Sequence, residues 1–266
     1  ILTNHHCSRG VVGDLMKEGE DFDKNGFYAA TMGEERKAPG LYVKQLVKME
    51  DITKYIEEKT KDAADEAEMK QLQATALEAA VEEYQKKEGW EELELETVTY
   101  YSGGKFSIYG YKRYDDIRLV LIPELQLGYF GGDPDNFTYP RYALDFTLWR
   151  AYENGEPVNT SEFYFPVQAE GADEGDPVFV IGNPGSTERY RTVAQLEYDR
   201  DYRYNIQLAA YNNLMKVMEA QYADNPSHDL QESMFSLSNS IKAITGIVEG
   251  MHNPRLMGRK VAMEKK

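Results

Sequence analysis

Strand-like patterning runs through the middle of this chain and then stops: after about Tyr198 only helical periodicity remains. A doubly wound parallel sheet needs strands and helices in alternation, so that segregation argues against one. The strand runs are short and end on Gly or Pro. Phe106 and Ile108 point one way and Ser107 and Tyr109 the other, with Gly103-Gly104 as a tight hairpin turn before them. Arg118–Ile122 is a short, largely buried strand closed by Pro123. Leu144–Ala151 is another, and Val178–Ile181 a third, closed by Gly182-Asn183-Pro184-Gly185. Such strands suggest a sandwich or barrel.

Two helical regions frame this reading. Within residues 61–88 the positions Met69, Leu72, Ala76, Ala80 and Tyr84 fall at steps of three and four, which predicts one face of a surface helix with a stop at Gly89. Beyond Tyr198 one stripe is Ile206, Ala210, Leu214, Val217 and Gln221. A second is Met234, Leu237, Ile241, Ile244 and Val248, ended by Gly250. Asp224-Asn225-Pro226 separates them, which predicts a helical hairpin, with a third helix after Pro254.

Composition narrows the function classes. With 41% hydrophobic residues the chain can build a core. A net charge of −16 argues against nucleic acid as a partner, because phosphate binding needs a basic face. No apolar run approaches the roughly 20 residues of a membrane span. A lone cysteine, Cys7, excludes an internal disulfide framework. The chain opens at Ile1, in what reads as a buried strand, and stops in a charged helical stretch. It therefore reads as an internal piece of a longer protein.

Three stretches carry chemistry. In Leu2-Thr3-Asn4-His5-His6-Cys7, adjacent histidines on an extended chain would point to opposite faces. With His228 and His252 far away, no metal site is expected. Asp145 has apolar neighbours, Leu144 and Phe146. A buried carboxylate is costly unless it has a partner or sits near solvent, and a histidine N–H is a fitting partner. Ser186 follows Pro184-Gly185 and precedes Thr187, which does not suit a trypsin-type nucleophile, so it reads as a turn residue. Cys7 reads either as a partner for a cysteine elsewhere or as a small buried apolar residue.

A strand followed by Thr-Asn-His-His-Cys resembles the segment that places the general base in trypsin-like serine proteases, and that pattern selects His6. Further stretches extend the likeness: Asn25-Gly26-Phe27-Tyr28-Ala29, Tyr111–Val120, Phe130-Gly131-Gly132-Asp133-Pro134-Asp135-Asn136-Phe137, Pro140-Arg141 with Asp145-Phe146, Ile181–Thr187 and Leu237-Ser238-Asn239-Ser240. Together they resemble the bacterial serine dipeptidyl-peptidases of the type that includes dipeptidyl-peptidases 7 and 11.

The resemblance implies a mainly β plus α fold, a chymotrypsin-like double β-barrel, incomplete here, with an inserted all-helical domain. Residues 1–198 would be the partial barrel domain, and 199–266 the start of the insert. It implies removal of dipeptides from the free N-terminus of peptides through an acyl-enzyme, with His6 and Asp145 catalytic and no cofactor. The nucleophilic serine would lie outside these residues, so the piece alone is expected to be inactive. Asn136 and Phe137 would hold the substrate ammonium, although the family usually has Trp at the second position. It further implies a homodimer, in the periplasm or at the surface of a Gram-negative bacterium. Two other readings share His6 and Asp145: an endopeptidase of the heat-shock type, and a non-catalytic peptide-binding relative.

Overall fold

The computed structural model describes residues 1–129, 143–179 and 191–265. Its strands are β1 (Leu2–Thr3), β2 (Phe27–Tyr28), β3 (Arg36–Lys37), β4 (Val43–Asp51), β5 (Glu94–Tyr100), β6 (Lys105–Tyr114), β7 (Asp116–Ile122), β8 (Thr147–Glu153) and β9 (Glu156–Pro157). Its helices are α1 (His5–Val12), α2 (Phe22–Asn25), α3 (Thr53–Thr60), α4 (Glu66–Tyr84), α5 (Leu125–Gly128), α6 (Val193–Tyr198), α7 (Tyr204–Asp224), α8 (His228–His252) and α9 (Pro254–Glu264). The result is a mixed α/β structure with antiparallel strand pairs. By contacts it divides into two units: Ile1–Leu2, Phe27–Ile122 and Thr147–Val158 form the first, and Thr3–Gly26, Pro123–Phe146 and Asn159–Lys266 the second.

The first unit holds the sheets. One has the order β1-β8-β7-β2, with β3 also on β7 and β9 on β8; the other has the order β4-β6-β5. The turn at Gly103-Gly104 joins β5 to β6, pairing Tyr100 with Lys105. Tyr101, Ser102 and Gly103 all adopt positive φ there, and glycine takes that conformation at least cost. Phe106 and Ile108 of β6 pack against Ile52 and Ile56 and against Ala76, Ala80 and Tyr84 of α4. The α4 face is the one its spacing predicts. Its bounds differ: Asp65 accepts a hydrogen bond from Glu68 N and starts the helix at Glu66, while a separate α3 precedes it.

Two expectations about strands need correction. Ile1 and Leu2 are exposed, not buried, because β1 is a two-residue strand at one end of its sheet. Val178 and Phe179 are exposed and lie in no strand, while residues 180–190 lie outside the described part. A β-prone run becomes a strand only where a neighbour completes its ladder, and no strand pairing among the described residues takes up these two.

In the second unit, α7 and α8 fold back on each other across the Asn225-Pro226 break. The α8 stripe lies inward, with Ile244 buried, but the helix runs past Gly250 to His252. Pro254 opens α9 under an Asn253 cap. On α7 the expected stripe is not the face turned to α8. Ile206, Ala210, Leu214, Val217 and Gln221 are all exposed, and the partly buried face is Leu208, Tyr211, Met215, Met218 and Tyr222. This helix carries apolar residues on both sides, so periodicity alone does not select the face that α8 covers.

Candidate active site

His6 sits in the first turn of a helix, where a strand end was expected. Residues His5, Ser8, Arg9 and Val12 of α1 are buried, an i, i+3, i+4, i+7 face. Successive helical residues point about 100° apart, so His5 turns inward while His6 faces the outer edge. The two imidazoles still diverge, for a helical reason. Among the described residues no group of three or more His, Cys, Asp or Glu side chains could hold a metal ion.

Each end of this arrangement has a cause. Asn4 occupies the N-cap position in extended conformation, but its side chain does not cap the helix. The carboxylate of Asp145 takes that role: its Oδ1 accepts the His6 backbone N–H at 3.1 Å. The same carboxylate lies 2.8 and 3.0 Å from His6 Nδ1. Asn4 Nδ2 donates to Asp145 Oδ2 and to its main-chain carbonyl, each at 3.3 Å. A carboxylate at a helix N-terminus is favoured by the helix dipole and by the unpaired N–H groups there. The Asp145 side chain is 5% exposed against 39% for His6, so the pair is anchored from within and presents its imidazole outward.

Asp145 lies just ahead of β8, which begins at Thr147 rather than at Leu144. Leu144 N donates to Leu127 O at 2.8 Å, which ties this connection to α5. His5 completes the frame. It is 2% exposed, and its Nε2 donates to Pro123 O at 3.1 Å. A Cβ on Gly128 would fall 2.4 Å from the His5 ring, so only glycine allows this approach. Burial pushes the His5 pKa down; the hydrogen bond to the Pro123 carbonyl opposes it, the charge of Arg9 adds to the lowering, and Asp145 and Asp23 counter it more weakly.

Cys7 is a free thiol on the exposed side of α1, which corrects its reading as a buried apolar residue. Partial burial and the Asp145 charge raise its pKa, against Arg9, which disfavours the nucleophilic thiolate. Asn136, Phe137 and Ser186 lie outside the described residues. Two contributors escaped the sequence reading, Asn4 and Arg9. Asn4 is adjacent to the motif and could have been tried as a cap; nothing local marks Arg9.

A histidine whose Nδ1 bonds an enclosed carboxylate is held as the Nδ1–H tautomer, so its lone pair able to take a proton lies on Nε2. That is the chemistry of a general base.

Comparison with known proteins places this arrangement among peptidases. The sequence is 34% identical over 210 residues to an Asp/Glu-specific dipeptidyl-peptidase of Capnocytophaga gingivalis, covering 74% of this chain and 29% of that protein. It is 32% identical over 279 residues to dipeptidyl-peptidase 7 of Porphyromonas gingivalis, covering all of this chain and 38% of that one. The chain thus spans well under half the length of either relative. The crystal structure of Porphyromonas endodontalis DPP11 in complex with the dipeptide Arg-Asp superposes with a TM-score of 0.83 over 99% of this chain and 40% of that one, at 24% identity. The model of the peptidase S46 family matches residues 1–266, from first to last, and the chain is therefore a member of that family.

Proposed function

We propose that the protein to which this chain belongs is a serine exopeptidase that releases dipeptides from the free N-terminus of peptides. The observation that carries this reading is the His6–Asp145 pair, joined at 2.8 Å with the carboxylate enclosed and the imidazole edge open. Family membership supports the chemistry.

In this mechanism a serine outside these residues attacks the second peptide carbonyl while its Oγ proton moves to His6 Nε2. Asp145 keeps Nδ1–H in place and stabilises the imidazolium. The proton then passes from Nε2 to the departing amine, leaving an acyl-enzyme. Water, deprotonated by the same Nε2, releases the dipeptide and restores the serine. Asn136 and Phe137 hold the substrate ammonium through an amide carbonyl and an aromatic face.

The proposed architecture is an incomplete chymotrypsin-like double β-barrel over residues 1–198, with the start of an inserted helical domain over 199–266. The likeness to DPP11 supports a shared fold. No helix among the described residues is long and apolar enough to cross a membrane. A homodimer in the periplasm or at the cell surface completes the proposal.

The test uses the full-length protein. It is expected to release dipeptides from unblocked peptides and to leave N-acetylated ones intact, and His6→Ala is expected to remove at least about 10³-fold of turnover. Equal cleavage of blocked and free peptides, or wild-type turnover in His6→Ala, overturns the reading.

A further inference from the structure

Arg9 is buried at 7% exposure on the same short helix as His6, yet no step above uses it. Its Nε lies 3.0 Å from Glu232 Oε1 on α8. Its guanidinium carbon lies 4.4 Å from the centre of the Phe235 ring, also on α8, and 5.5 Å from that of Tyr129. Those two rings touch, with centres 4.5 Å apart. Tyr129 directly follows Gly128, the residue that seats His5. All these groups belong to the second unit.

This is an expensive way to hold a helix down. Burying a charged pair takes back most of what the attraction gives, and apolar residues in place of both partners often serve stability as well or better. The cost is visible here: Arg9 Nη1 is buried with no hydrogen-bond partner among the described residues. What such a pair supplies instead is a defined register.

α1 needs one. It spans only His5–Val12 and contains Gly10, so little of its order is intrinsic. Its inward face is held at two levels one turn apart, by His5 on Pro123 and Gly128, and by Arg9 on Tyr129, Phe235 and Glu232. The outer surface of a helix lies about 5–6 Å from its axis, so a rotation of α1 by roughly 10° carries the His6 ring about 1 Å. A misplacement of that size costs on the order of 100-fold in rate.

We infer that Arg9 is a positioning residue: it fixes α1 against α8 and thereby sets the aim of the His6 imidazole. The inference rests on the proposed role of His6 as base. It also predicts that changes on α8, at Glu232 or Phe235, reach the reaction through α1.

The test compares full-length wild type, Arg9→Met, Arg9→Lys and Glu232→Gln on a panel of unblocked dipeptidyl coumarylamides. A fluorophosphonate counts the competent sites. Arg9→Met strands the Glu232 carboxylate and so is expected to melt below wild type, yet to stay folded at the assay temperature and to lose about tenfold or more in kcat per titrated site with KM nearly unchanged. Arg9→Lys, which keeps the charge but not the planar contact, falls between the two. The proton NMR signal of the His6 ring N–H bonded to Asp145, assigned by its loss in His6→Ala, is expected to shift or broaden in Arg9→Met.

Wild-type kcat per titrated site together with an unmoved ring proton in Arg9→Met overturns the inference. So does a fall in activity that follows the loss of folded protein. Failure of the function itself reads differently, as absent turnover in the wild type or retained turnover in His6→Ala. The ring proton still decides the positioning role in that case.

Discussion

Replacing Asp145 by asparagine isolates what the carboxylate does. Asparagine has nearly the same volume, so a side chain 5% exposed is exchanged without a cavity. The hydrogen bonds, however, cannot be re-made. Oδ1 accepts from His6 N–H at 3.1 Å, and the carboxylate also faces His6 Nδ1 at 2.8 Å and Asn4 Nδ2 at 3.3 Å. If the new amide oxygen faces the backbone N–H, its NH₂ faces the ring and bonds Nδ1 as a donor. The ring then carries its proton on Nε2 and has no lone pair for an incoming proton. If the amide is flipped, its NH₂ meets the backbone N–H and two donors collide. Wrong tautomer in an otherwise intact site costs about 10⁴ in kcat, or about 5 kcal/mol of transition-state stabilisation. The fold loses far less, since a charge at a helix N-terminus contributes about 0.3–1 kcal/mol and up to about 2 when partly buried. Asp145→Asn in the full-length protein should therefore melt within a few degrees of wild type while its hydrolysis of unblocked dipeptidyl coumarylamides falls by about four orders of magnitude. A kcat within about tenfold of wild type would refute the assignment of Asp145 as the residue that orients the base.

Three further perturbations follow from the same contacts. Gly128→Ala drives a methyl group to 2.4 Å from the enclosed His5 ring, so it should destabilise by about 1–3 kcal/mol in urea unfolding and lower kcat by displacing α1. His5 has a depressed pKa in the folded protein, so the unfolded chain binds its proton more readily. Its contribution is complete above the ordinary value of 6.5 and is lost as pH falls through and below it, and the urea midpoint should drop from pH 7.5 to pH 5.5 less steeply in His5→Asn. Ile108→Ala removes a side chain with no exposure from the packing of β6 on α3 and α4, and should cost about 2–5 kcal/mol by the same measurement.

The sequence was most legible where a pattern had one partner to satisfy. The α4 stripe ending in Ala76, Ala80 and Tyr84 and the hairpin at Gly103-Gly104 reflect local periodicity and turn chemistry, and both appear as read. The α7 stripe did not tell which face α8 covers, because that helix is apolar on two sides. Val178 and Phe179 have strand-like composition, but composition does not supply a ladder. At the site, His6 and Asp145 were singled out by residue type and context, and the structure brings them together from 139 residues apart. The helix under His6 was not legible, because the group that occupies its N-terminus is Asp145 rather than a local cap. Arg9 was invisible for a similar reason: its meaning lies in Glu232 and Phe235, which no local pattern connects to it.

The location of the supporting contacts limits what can disturb the pair. Asn4, His5, Arg9, Pro123, Gly128 and Glu232 all lie in the second unit with His6 and Asp145, while the Ile108 core lies in the first. Among the described residues, the contacts that frame the His6–Asp145 pair come from one short helix, the connection before β8 and α8. Stability and aim should consequently separate. Ile108→Ala should lower the unfolding midpoint while leaving kcat per titrated site near wild type. Arg9→Met should lower kcat per titrated site well beyond any loss of folded protein, because the contacts it removes set register as well as stability. A site built in this way keeps its histidine aimed by a carboxylate that also begins the helix, so the charge that orients the ring and the charge that holds the backbone beneath it are the same.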